Sequence, residues 1–311
     1  MYVLKTFKYR LFPSKPQERR LVVILEECRW LYNQFLRERK TAYEERKESL
    51  SFYDQCKTLP ALKEVRLSLK QVHSQVLQNV AVRLDLGMKA FFRRVKAGEK
   101  PGYPRFKGKG RYDSFTFPQA PSGCALVGNI LKISKVGDVA IKLHRSFEGT
   151  PKTCTIRRSS TGKWYASFSC EIEVIAATLS STEAVGIDVG LESFATLSDG
   201  QQITNPRFFR TDQKELAKAQ HKLAKEQKGT LQRATRRWVV ARIHERIGFR
   251  RTNFVHQSAR QLVGLYGILC VEDLHVNRMI HNHSLAKSIS DAAWSTIFDV
   301  LSFNAACAGR K

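Results

Sequence analysis

The chain has 311 residues, with 53 Lys and Arg against 28 Asp and Glu, a formal net charge of +25 and a sequence pI near 10.0. That excess goes far beyond what solubility requires and indicates a polyanionic partner, while 42% hydrophobic content supports sizeable cores and excludes a disordered basic tail. No run nears the roughly 20 apolar residues of a membrane span, and the N-terminus alternates charge with aromatics where a signal peptide has an apolar core, so an intracellular setting is expected.

Seven cysteines contain no C-x-x-C pair, so neither a zinc ribbon nor a dithiol site is encoded, and reduced thiols acting as small hydrophobes are expected. Length predicts two or three domains.

Residues 2–12 alternate up to Pro13 and predict a strand. The period then becomes helical. Leu21, Ile24, Leu25, Cys28, Leu31, Tyr32 and Phe35 mark one helix, and Val65, Leu69, Val72, Val76, Val80, Leu84, Met88 and Phe91 predict a second, longer one. A loop rich in Gly, Pro and Lys covers 98–110. Short strands follow at 112–117, 125–134 broken at Gly128-Asn129, 139–143, 153–157 and 164–174, a spacing that indicates a small barrel or sandwich. The first strand is expected to join it, which makes the helical module an insertion.

From Ala184 a third region reads as an apolar strand, a hairpin over 193–204 turning at Asp199-Gly200, and a basic helical stretch from Gln213 to about Val263. A buried strand over 266–272, a polar loop and a final helix from Asp291 complete it. This is the RNase H-like order, a weak signal alone. Asp188 and Glu272 close the first and last strands of this region. Two carboxylates at strand ends are the hard oxygen donors of a two-metal phosphodiester site, holding Mg²⁺ ions about 3.5–4 Å apart.

The segments Lys8-Tyr9-Arg10-Leu11-Phe12-Pro13, Cys28-Arg29-Trp30-Leu31-Tyr32-Asn33 and 100–108 (Lys-Pro-Gly-Tyr-Pro-Arg-Phe-Lys-Gly) carry a family resemblance, with Gly186-Ile187-Asp188-Val189-Gly190, Val271-Glu272-Asp273-Leu274 and 283–292. In this order they resemble TnpB, the transposon-encoded RNA-guided DNA nuclease of the OrfB-type transposases, related to compact type V CRISPR effectors. The resemblance implies an α+β multidomain fold. A split β-barrel wedge domain (1–13 and 111–180) would carry an inserted helical recognition domain with its basic loop (14–110). A RuvC-like nuclease domain would follow at 182–311.

It also implies Asp188 and Glu272 as catalytic Mg²⁺ ligands, a guide RNA and target double-stranded DNA as partners, and a cytoplasmic protein that is nucleoid-associated when bound to DNA. The family carries a zinc ribbon and a third acid beyond the last helix, whereas this sequence ends at Ala308-Gly309-Arg310-Lys311. The expectation is therefore a nuclease domain lacking its C-terminal part, without zinc ligands, and a metal site one ligand short. Asp273, predicted on the opposite strand face, and Asp291, predicted as a helix N-cap, are weak replacements. Asp199 reads as a turn residue.

The run from Lys214 to Arg251, including Arg233, Arg236 and Arg237, holds few acids and suits a guide–target heteroduplex backbone. A second patch interleaves Lys100, Arg105, Lys107, Lys109 and Arg111 with Tyr103 and Phe106, suited to phosphates and stacked bases, and glycines at 102, 108 and 110 would let nucleic acid approach the backbone. The string His281-Asn282-His283 lacks the ββα frame of an HNH nuclease and reads as loop.

Overall fold

Alternation decides the first element. Phe7, Tyr9 and Leu11 are buried while Leu4, Lys8 and Phe12 face outward, giving strand β1 over Tyr2–Phe12. In this computed structural model, which describes residues 2–146, 148–173 and 183–310, the chain forms two compact units, Tyr2–Glu173 and Val174–Lys311. The expected end of the last barrel strand at 174 and the expected boundary at 180–182 lie outside the described residues.

In the first unit, β1 joins β2 (Ser114–Phe117), β3 (Cys124–Val127), β4 (Ile130–Ile133), β5 (Gly137–Lys142), β6 (Thr150–Arg158) and β7 (Trp164–Glu173). They form one antiparallel sheet in the order β2-β6-β7-β1-β5-β4-β3. The sheet curls until its two ends nearly meet: Cys124 Sγ of β3 lies 3.0 Å from Cys154 Sγ of β6. The short helix α4 (Ala120–Gly123) turns the chain at this seam, where a Cβ on Gly123 would sit 2.4 Å from the Phe117 ring, so only glycine fits. Phe7, Phe115, Phe168 and Trp164 fill the interior. Each contributes up to about 3 kcal/mol by leaving water.

Between β1 and β2 lie α1 (Lys15–Arg46), α2 (Phe52–Val65), a 3-10 turn over Leu67–Gln71 and α3 (Ser74–Lys96). α1 begins where Gln17 Oε1 accepts from the Ser14 N–H at 2.9 Å. The single long helix expected to carry Val65 through Phe91 does not form. Ser51 and Asp54 cap a separate α2, Val65 is 85% exposed at its end, and the chain turns through Leu69 and Val72 before α3. The three helices are locked by polar contacts. Arg39 donates to Gln55 Oε1 (2.8 Å) and Asp85 Oδ1 (3.2 Å), and Gln55 donates to the Phe35 carbonyl (2.9 Å).

The second unit holds β8 (Ala184–Val189), β9 (Ser193–Leu197), β10 (Gln202–Thr204) and β11 (Ile268–Val271) in the order β10-β9-β8-β11. Only β11 runs parallel to its neighbour, β8. The basic helical stretch is a hairpin of two helices, α5 (Phe208–Lys225) and α6 (Leu231–Leu265). After α7 (Val276–Met279) come α8 (Ala286–Ala292) and α9 (Trp294–Cys307), separated by Ala293 at φ 58°. Val185, Ile187 and Phe194 pack against Val255, Leu262, Ile297 and Leu301 of α6 and α9.

Candidate active site and nucleic-acid interface

Asp188 points away from that core. Along β8, Val185, Ile187 and Val189 are buried and Asp188 is exposed, so the strand is covered on one face only. β11 corrects the expectation of a buried strand, because Ile268, Cys270 and Val271 are all exposed. The parallel register pairs Ile187 with Val271, so Asp188 and Glu272 are each the next residue beyond that rung. Neighbouring parallel strands lie about 4.8 Å apart, so the two acids stand where adjacent strands run side by side. Glu272 is exposed, and its carbonyl accepts from the Leu274 N–H at 3.0 Å as the chain leaves the strand. Beyond Asp188 the chain reverses tightly, with Gly190 N donating to the Phe194 carbonyl at 3.3 Å.

Among the described residues, no group of three or more His, Cys, Asp and Glu side chains is placed to hold a metal. Asp273 is exposed and joins no such group among the described residues, and the other acids considered have other work. Asp291 is buried inside α8 and does not cap its own helix: Oδ1 accepts from Arg251 (2.7 Å) and Oδ2 from the Phe209 N–H (2.8 Å). It thereby caps α5, whose first residues follow Arg207, a non-glycine held at φ 46° that makes no side-chain cap. Asp199 accepts from Tyr266 Oη (2.5 Å) and Gln201 N (3.0 Å), and the Tyr266 hydrogen bond holds its carboxyl below the usual range. His281 and His283 lie exposed in the loop after α7.

Two units of the chain carry basic surface. On α5, Lys214, Lys218 and Lys222 recur every fourth residue and, with Lys225, Lys228 and Arg237, are exposed and make no ion pair among the described residues. Much of the remaining charge is structural. Arg246 and Arg250 pair with the buried Asp212 (3.2 and 3.1 Å), Arg236 pairs with Glu226 (3.5 Å), and Arg242 stacks 4.7 Å from the Trp238 ring. Arg233 donates to the carbonyls of Leu223 (3.0 Å) and Glu226 (2.6 Å), tying off the C-terminus of α5. Lys214, Lys218 and Lys222 each replaced by Ala should therefore weaken nucleic-acid binding and lower the salt slope by about 0.7–0.9 per charge removed. Anisotropy titrations across a salt series check this; an unchanged slope counts against the α5 face.

The loop at 97–113 is pinned at Lys107. Asn33 Oδ1 accepts from Lys107 N (2.7 Å), while Asn33 Nδ2 and Arg29 Nη1 donate to the Lys107 carbonyl (2.9 and 3.2 Å). The Lys107 ammonium lies 5.6 Å from the Tyr32 ring centroid, and Tyr103 packs edge-on against Phe91 at 5.3 Å. Lys100, Arg105, Phe106, Lys109 and Arg111 stay exposed. Gly110 is required at φ 70°, whereas Gly102 has open space around it and no strained backbone. The Asn33 clamp was not legible locally, being 74 residues from its partner. Asn33→Ala should speed hydrogen exchange and proteolysis over 98–110 and cost about 1–2 kcal/mol of local stability. Unchanged exchange there would show that the clamp does not order the loop.

No helix among the described residues is long and apolar enough to cross a membrane. Residues 167–283 match the OrfB_IS605 family, described as "Probable transposase", and residues 1–48 match its helix-turn-helix domain. In this chain the latter span holds β1 and the single helix α1. A Streptomyces pristinaespiralis protein named "Putative RNA-guided DNA endonuclease" is 32% identical over 99% of this chain and 76% of its own length. InsQ of Escherichia coli K12, of the same name, is 29% identical over 92% of this chain and 70% of its own. The fold is shared with a chain of the Cas12f1-sgRNA-target DNA complex, at TM-score 0.54 and 13% identity, covering 100% of this chain and 88% of that one. Matched along nearly its whole length by such a relative, the chain belongs to the TnpB family of OrfB/IS605 transposases.

Proposed function

We propose that the chain is an RNA-guided DNA endonuclease of RuvC type, which pairs a guide RNA with one strand of double-stranded DNA beside a short adjacent motif and hydrolyses it with Mg²⁺. The observation that supports this most is that Asp188 and Glu272 each directly follow one of the paired residues Ile187 and Val271 of two hydrogen-bonded parallel strands, both open to solvent. Two exposed carboxylates at the ends of neighbouring strands fit a divalent cation, since Mg²⁺ is commonly held by one or two carboxylates plus substrate oxygens. When bound, Mg²⁺ supplies a water nucleophile at neutral pH and charge stabilisation for the departing 3′-oxygen.

The chain's own contributions are separable. Asp188 offers a hard oxygen donor on a strand whose other face is anchored in the core, which limits its movement, and Glu272 offers a second just past the exposed strand β11. The lysine row of α5 and the cations of the 97–113 loop neutralise phosphates without reading sequence. The helices at 14–100 are assigned the recognition of the motif beside the target. The relatives' names and the sgRNA and target DNA of the Cas12f1 complex are consistent with these partners.

Sequencing the RNA that copurifies with the chain, then supplying DNA that matches segments of it with Mg²⁺, tests the proposal. Cleavage that follows the RNA sequence is expected. A second reading is guided DNA binding without cleavage, favoured by the lack of a third metal-ligating side chain beside Asp188 and Glu272 among the described residues. RNA-dependent footprinting of the target without any cutting in Mg²⁺ or Mn²⁺ would select it; absence of any copurifying RNA would sink both.

A further inference from the structure

The barrel sheet is open at one place. Its strand order begins at β2 and ends at β3, and no strand pairing joins those two ends among the described residues. β2 is also shorter than its neighbour: its pairing with β6 stops at the rung Phe117–Cys154, which leaves residues 150–153 of β6 without a strand on that side. β3 has four residues and pairs only with β4.

Two thiols stand across this gap. Cys124 is the first residue of β3 and Cys154 lies within β6, 30 positions later, with the Sγ atoms 3.0 Å apart. Both residues are buried. A disulfide bond is about 2.05 Å long, so the two sulfurs stand about 1 Å from bonding distance.

The two sides of the seam are held unequally. β2 is gripped from the inserted helices, because Arg83 of α3 donates to the Ser114 carbonyl (2.6 Å) and to Thr116 Oγ1 (2.7 Å), and the His73 ring meets Phe117 edge-on at 5.6 Å. Thr116 and Thr155 also join β2 to β6 through their hydroxyls at 2.8 Å. β3, a short edge strand, is the part of the seam with the least to hold it. Burial pushes the Cys154 thiol well above its ordinary value, so the closed seam disfavours the reactive thiolate and reaction follows the outward movement of β3.

We propose that Cys124 and Cys154 are a reversible oxidation site, forming a disulfide that closes the barrel when the chain meets peroxide. One sulfur, as thiolate, attacks a peroxide oxygen; the O–O bond breaks, leaving a sulfenic acid and one water. The other sulfur attacks the sulfenyl sulfur, the S–O bond breaks and a second water leaves. The two thiols together lose two electrons and two protons, and peroxide is reduced to two waters. A dithiol reductant reverses the bond by exchange. The bond ties β3 to β6 across the open side of the sheet and constrains the unfolded chain between them. This inference stands apart from the nuclease reading.

The test is treatment of the full chain with hydrogen peroxide, then alkylation, non-reducing digestion and mass spectrometry, with loss of alkylation at the exposed Cys270 showing that the oxidant has acted. A pair of peptides joined through Cys124 and Cys154, two hydrogens lighter than its parts, is expected. With it should come a rise in the Tm of the first unit on the order of 10 °C, which dithiothreitol abolishes. Cys124→Ala and Cys154→Ala should each remove both the joined pair and the rise. If either variant misfolds, the wild-type mass and Tm measurements carry the test. Cys270 oxidised while Cys124 and Cys154 are recovered as separate thiols, or as separate sulfinic acids, overturns the site. A joined pair with an unchanged Tm overturns the closure of the barrel, as does a Tm rise that persists in both variants.

Discussion

Asp188→Ala is expected to lower guided, Mg²⁺-dependent DNA cleavage by on the order of 10³-fold or more while leaving RNA and target binding intact. Carboxylates that share a metal act as a unit, so removing one forfeits most of what the pair supplies. Stability should hold, because Asp188 is exposed and its carboxylate makes no hydrogen bond or ion pair among the described residues. Removing one of two adjacent like charges also relieves repulsion. Glu272→Ala should behave the same way, and the two together should cost no more than either alone. Cleavage assays on RNA-loaded protein, with footprinting as the binding control, decide it. Cutting by Asp188→Ala at the wild-type rate would remove these residues from catalysis.

Asp291→Ala is expected to unfold the second unit at markedly lower denaturant or temperature. Breaking a buried ion pair by removing one partner costs about 3–5 kcal/mol, because the surviving charge is left uncompensated. Here the survivor is Arg251, whose Nε already has no hydrogen-bond partner. The Phe209 N–H at the start of α5 loses its acceptor as well. For a unit of this size the loss corresponds to a fall in Tm on the order of 10 °C. Asp291→Asn should be milder, since its amide oxygen still caps α5. Calorimetry and Mn²⁺ binding measured together separate the roles. Unaltered stability with lost Mn²⁺ binding would make Asp291 a metal ligand.

The sequence by itself determined the elements whose pattern repeats within a few residues. β1 ends as expected because alternation and Pro13 are both local signals, and the hairpin at 193–204 follows from Asp199-Gly200. The placement of β1 in the barrel sheet, with the helices as an insertion, follows from the change of period at Gln17 and back at Tyr112. Asp188 and Glu272 were legible as strand-end acids for the same reason.

Tertiary structure alone decided the rest. Val65, Leu69 and Val72 fit the helical period of α3, yet the Ser51–Asp54 cap and the turn at 67–71 divide the segment, because a local apolar period does not say which neighbour each turn packs against. An apolar run such as Ile268–Val271 reads as buried on both faces, but burial depends on which elements cover a strand, and here α6 and α9 pack on β8 and β9 while the edge strand β11 stays exposed. Arg233 and Arg237 look alike in a charge run; the end of α5 lies within reach of one and not the other. The Asn33 clamp on Lys107 and the Asp291 cap on Phe209 join residues 74 and 82 positions apart. Contacts of that separation are selected by packing and sheet register, which no short window of sequence contains.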